Sequence, residues 1–148
     1  MRRSSAAFPG VGLLTAAILL AEIGEDRDHY PAVGVLLAEA GLAPVTRSSG
    51  RSHRVGFRYA ANIRLREACM WWAFNSLKTS PWARAAYDDA RARKQPHHRA
   101  LRGLGARWMR VLWRAWTDGV PYDQARHLKT GPASGARTAK PTQATAAA

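Results

Sequence analysis

A small all-α domain of about five helices, followed by a disordered C-terminal tail, is the fold this sequence predicts. Three observations lead there. At 148 residues with 47% hydrophobic content, the chain suits one ordinary domain and little more. Apolar residues recur at three- and four-residue spacings in two long stretches, Leu65–Ala73 and Leu101–Ala115. Proline and glycine fall between the periodic stretches, at Pro9-Gly10, Gly41, Pro81 and Pro96, where helices should begin or end.

Residues 1–7 read as an unstructured start. The step PGVG then opens the helical run LLTAAILLAEIG. Backbone N–H groups at Gly10 and Gly12 would sit at a helix N-terminus and suit a phosphate, in the manner of the turn of a helix-hairpin-helix element. An ordinary loop before a core helix fits the same residues as well. The start also mimics a secretory leader, MRR followed by VGLLTAAILLA. Phe8-Pro9-Gly10 interrupts it, a small-x-small cleavage step is missing, and Glu22 follows in helical register. The run is also short of the roughly 20 apolar residues that cross a bilayer. Nor does the basic charge lie on a hydrophobic insertion face, since it is carried by helices with tryptophans opposite, so no membrane partner is expected.

A second helix should cover Ala32 to Ala40, with Gly41 as its C-cap. Pro44 opens an arginine-rich loop, and a third helix should run from about Ala60 to Leu77. Its core face is Leu65, Ala68, Cys69, Trp72 and Ala73. Ser80 is placed as N-cap of a fourth helix with Pro81 in its first turn, ending near Lys94. A fifth should span His97 to about Thr117. The domain is therefore expected over residues 8–123, and residues 124–148, rich in Ala, Thr, Gly and Pro, read as a tail.

Charge narrows the function classes. Lysine and arginine number 23 against 10 acids, giving a net charge of +13. Residues 43–66 hold six arginines (Arg47, Arg51, Arg54, Arg58, Arg64, Arg66) and no acid. Residues 90–117 hold seven arginines plus Lys94, again without an acid. Such an excess predicts a polyanionic partner. On the fifth helix Arg99, Arg102, Arg107, Arg110 and Arg114 lie opposite the apolar face of Leu101, Leu104, Trp108, Val111, Leu112 and Ala115, with no glutamate at i±4. Trp108 reads as core; Trp113 falls toward the basic side, where it could shield an arginine or stack on a base. In the arginine loop, Ser48-Ser49-Gly50 reads as a turn that exposes a hydroxyl among guanidinium groups suited to phosphate oxygens. A basic surface loop with locally satisfied serines is the plainer reading. Cys69 is the one cysteine, which excludes an internal disulfide or a zinc site and fits a cytosolic compartment. His53, His97 and His98 have no carboxylate or cysteine at metal-ligand spacing, so no metal site is assigned.

Several motifs in order carry a family resemblance over residues 8–123: FPGVGLLTAAILLAEIG, HYPAVGVLLAEAGLAPVTRSSG, the basic RLR helix and DGVPYD. They resemble the C-terminal domain of DEDD-type bacterial insertion-sequence transposases, the family of insertion sequences 110, 116 and 902, related to Piv-type DNA invertases. The resemblance implies DNA transposition and recombination, with a serine attacking a phosphodiester. It places that nucleophile at Ser49, before Gly50, with Ser48 as the alternative. It also implies partners: DNA, a structured guide RNA, and a full-length transposase or a second copy of the chain. In the family the metal-binding acidic residues belong to an N-terminal RuvC-like domain. Met1 stands only nine residues before Gly10, so Mg2+ is expected only with that domain and no cofactor in this chain. The expectation is a non-autonomous, truncated transposase fragment, cytoplasmic and nucleoid-associated, that binds nucleic acid and is inactive alone. The alternative is a stand-alone basic nucleic-acid-binding protein that regulates transposition.

Overall fold

Helices form where caps and apolar periodicity meet. The computed structural model describes residues 8–50 and 52–125, and for residues 47, 48 and 52–54 the backbone alone. The expected start (1–7) and the tail from 126 onward lie outside the described residues. Five helices follow in order: α1 (Leu13–Ile23), α2 (Val33–Glu39), α3 (Ile63–Thr79), α4 (Pro81–Ala92) and α5 (His97–Asp118). The molecule is mostly helical, as predicted.

Their ends are chemical. The Ser80 hydroxyl accepts from the Ala83 N–H, and Pro81 occupies the first turn of α4. Gly41 and Gly119 take φ of +65° and +64° just past α2 and α5, a conformation only glycine adopts without penalty. The start of α3 differs from expectation. Asn62 caps it, its Oδ1 accepting from the Leu65 N–H at 3.1 Å, while its Nδ2 donates to Glu22 at 2.7 Å and ties α3 to α1.

The arginine loop also departs from the all-helical expectation. It folds as a β-hairpin, β1 (Val45–Ser49) antiparallel to β2 (Ser52–Gly56), with Val45 opposite Gly56 and Ser49 opposite Ser52. The connection is only two residues long and begins at Gly50, whose φ is +52°. Two-residue hairpins demand positive φ, so a glycine here selects the hairpin.

The core is an aromatic cluster between α3 and α5. Trp72 and Trp108 stack at 5.4 Å, both wholly buried, with Phe8 and Trp82 edge-on to them. Indole N–H groups inside such a core need acceptors. Trp108 donates to the Ser76 hydroxyl at 2.9 Å, and Trp72 donates to the Pro9 carbonyl at 3.0 Å. Phe8 also stacks on Tyr122 at 4.7 Å, so residues near both ends of the described chain close over one core. α5 approaches α3 closely at Gly105, where a Cβ would stand 3.4 Å from the Cys69 carbonyl oxygen.

Candidate nucleic-acid interface

The hairpin presents the predicted serine. Ser49 is the last residue of β1 and is exposed beside the turn at Gly50. The backbone register sets His53 opposite Ser48, not Ser49. Among the described residues no hydrogen bond or ion pair reaches the Ser49 hydroxyl. The side chains of Arg47, Ser48 and Arg54, and all of Arg51, lie outside the description.

The remaining predicted arginines divide into three groups. Arg64 is highly exposed and faces Glu22 at 3.7 Å. Arg114 has an acidic partner after all: its Nε lies 2.7 Å from Asp118 Oδ2, one helical turn on. The acid at i+4 is an aspartate where glutamate is absent. Those two charges are partly compensated at the surface, at little cost or gain. Arg107 and Arg110 remain without an acidic partner among the described residues, Arg110 exposed and Arg107 half-buried.

The third group gathers at the base of the hairpin. Arg58, Arg99 and Arg102 line a cleft of about 390 Å³ between the hairpin and α5, together with Leu42, Val55 and Phe57. The guanidinium carbons of Arg102 and Arg66 sit 4.5 Å and 4.8 Å from the centre of the Phe57 ring. Cation–π attraction holds such groups in place while leaving N–H donors available. Arg66 also donates to the carbonyls of Tyr59 and Arg58, fixing the segment that leaves β2. Its guanidinium lies against Gly41, where a Cβ would come within 2.8 Å of Nε. Burial first, then the charges of Arg99 and Arg66, holds Arg102 below the ordinary arginine value. Arginine stays protonated through the working pH range, so the cluster carries repulsion that an anion would relieve. Phe57 is the functional candidate that sequence reasoning overlooked. Its signal was the run Phe57-Arg58-Tyr59, aromatic and cationic side chains interleaved.

Two other predicted sites meet different demands. Gly10, at φ +78°, abuts the α3 backbone: a Cβ there would stand 2.5 Å from Ser76 N. Close packing therefore accounts for the glycine. Gly12 is the N-cap of α1 and open to solvent, but the first turn it heads exposes Leu13 and Leu14. Trp113, expected on the basic side, is half-buried and donates to the Tyr30 carbonyl at 3.2 Å. The turn of helix puts it at the edge of the core and not on the arginine face. His97 shares a 2.7 Å hydrogen bond with the Tyr87 hydroxyl. Groups of three or more His, Cys, Asp or Glu able to hold a metal do not occur among the described residues, so no divalent ion is assigned to them. No helix among them is long and apolar enough to cross a membrane.

Residues 6–88, more than half of the chain, match the model of the transposase IS116/IS110/IS902 family. The chain belongs to that family. Three relatives from insertion elements illustrate the likeness. The mini-circle putative transposase for IS117 of Streptomyces coelicolor is 41% identical over 119 residues, which is 80% of this chain and 29% of that protein. An uncharacterized 43.6 kDa protein of insertion element IS110, also from Streptomyces coelicolor, is 38% identical over 78% of this chain and 29% of its own length. An uncharacterized 42 kDa protein of insertion element IS900 from Mycobacterium paratuberculosis is 35% identical over 80% of the chain and 30% of its own. The chain thus spans less than a third of the length of these curated relatives.

Proposed function

We propose that this chain is the serine-bearing, nucleic-acid-binding part of an insertion-sequence transposase, corresponding to the C-terminal domain of DEDD-type enzymes related to Piv-type invertases. The observation that carries the reading is the hairpin: it exposes Ser49 at its tip and joins, at its base, to the arginine face of α5. A guanidinium-lined surface neutralises phosphates and positions a backbone without reading sequence. A hydroxyl beside a tight turn can approach a phosphodiester that is held there.

The chemistry follows from the ordinary reactivity of a serine hydroxyl. Transfer of a strand to serine forms a bond from Oγ to phosphorus, breaks the bond to the leaving 3′- or 5′-oxygen, and passes the hydroxyl proton to a base. A serine hydroxyl is a weak nucleophile until a base or metal activates it. Activation and stabilisation of the leaving oxygen are assigned to a partner that brings carboxylates. On this reading the arginines bind and orient, and Ser49 attacks only in the assembled complex. DNA is the substrate, and a guide RNA would occupy part of the same basic surface. The test is denaturing electrophoresis of this chain with labelled DNA, alone and with a longer member of the family whose own serine is replaced. An adduct on this chain only in the mixture supports the reading; one formed by the chain alone contradicts the need for outside activation.

A further inference from the structure

We infer that the cleft between the hairpin base and α5 seats one unpaired nucleotide of DNA or RNA, its phosphate on Arg99 and Arg102 and its base against the Phe57 side. The inference deepens the proposed function and rests on it.

Three guanidinium groups, from Arg58, Arg99 and Arg102, line the cleft from β2's exit and α5, and a fourth, that of Arg66 on α3, lies against the Phe57 ring. None has an acidic partner among the described residues. The Nε atoms of Arg58 and Arg66 are buried with no hydrogen-bond partner, which is an unusual state for charged donors. The surroundings are not simply polar: Leu42, Ala43, Pro44, Val55 and Phe57 supply apolar walls. Phosphate oxygens match the donors and a base face matches the walls and guanidinium planes, the combination by which splayed-out bases are held. Size agrees, since about 390 Å³ lies toward the lower end of small-ligand sites, roughly 300–1,000 Å³. A duplex keeps its bases stacked inside a cylinder and offers such a concavity only its outer phosphates.

Gly103 provides a clean probe. It lines the cleft from α5, it is exposed, and a Cβ there would meet nothing within 4 Å. Gly103→Glu therefore places a carboxylate among the arginines without disturbing packing, and glutamate favours the helix over glycine. Thr117→Glu adds the same charge to α5 outside the cleft. Binding is measured by fluorescence anisotropy at fixed salt, with a single-stranded oligonucleotide and a blunt duplex of equal length. Gly103→Glu should weaken single-strand binding about tenfold or more, as loss of charge-assisted contacts does, and duplex binding by under about threefold. Thr117→Glu should lower both by that smaller factor, and a mononucleotide should compete for the single strand better than inorganic phosphate. Equal losses for both probes, or equal effects of the two substitutions, would overturn the nucleotide site and leave the proposed function standing. Inorganic phosphate competing as well as the mononucleotide would reduce the cleft to a bare anion site and overturn it too. If the unmodified chain binds neither probe, the proposed function itself fails.

Discussion

Ser49 ends β1 with an exposed hydroxyl, and Gly50 beside it takes φ of +52° because the hairpin turn is only two residues long. The chemistry of this pair is local, so its tests are single substitutions. In the mixed reaction with a longer family member, Ser49→Ala should abolish the adduct on this chain while changing nucleic-acid affinity by less than about 1 kcal/mol, since nothing packs on an exposed hydroxyl. An adduct that survives Ser49→Ala and disappears in Ser48→Ala would assign the attack to the neighbouring serine. Glycines give a second contrast. Gly10→Ala forces a Cβ into the α3 backbone at positive φ and should destabilise the fold by roughly 1–3 kcal/mol in urea unfolding. Gly34→Ala, in α2 with open space around it, should instead stabilise by about 0.4–1 kcal/mol. Cys69 supplies a pH signature. Burial pushes its thiol up to about 12 from an ordinary 9.0, so the folded chain keeps a proton that the unfolded chain loses. This thiol leaves stability unaffected below pH 9 and lowers it progressively as pH rises from 9.0 toward about 12. Alkylation of the native protein at pH 8 should accordingly be far slower than after unfolding.

Helices were legible in the sequence because their ends are written in single residues. Ser80-Pro81 opens α4 and Gly119 closes α5, as capping chemistry dictates. α3 begins at Ile63, later than its apolar pattern suggested, because Asn62 supplies the cap and pairs with Glu22 forty residues away, a tertiary fact. The hairpin was hidden by its composition: its strands are short, and Arg47, Ser48, Ser49, Ser52 and Arg54 are poor strand signals. Only Gly50 between two five-residue arms hinted at it. The arginine face of α5 was visible from spacing, but the cleft was not. Arg66 and Arg102 stand far apart in sequence and meet at the Phe57 ring. At this scale Ser76 tests the α3–α5 junction: Ser76→Ala removes the acceptor of the Trp108 indole N–H and should cost about 1–3 kcal/mol in thermal or urea unfolding. A neutral result would mean that Trp108 needs no buried acceptor.

Across the whole molecule the cationic residues are not equivalent. Arg64 and Arg114 face carboxylates, whereas Arg58, Arg99, Arg102, Arg107 and Arg110 have no acidic partner among the described residues. With the net charge of +13, this leaves one guanidinium-rich side running from the hairpin base along α5. Replacing Arg107 and Arg110 by alanine should weaken binding to every sequence alike and flatten its salt dependence, which competition between unrelated duplexes would show. The measurement that bears most directly on the proposed interface is the affinity of the whole chain for DNA over a salt series. Five engaged arginines predict a plot of log affinity against log salt with a slope of about −4 to −5, and steeper if the hairpin arginines add contacts. A slope near zero, or binding too weak to follow at low salt, would contradict a phosphate-binding arginine surface.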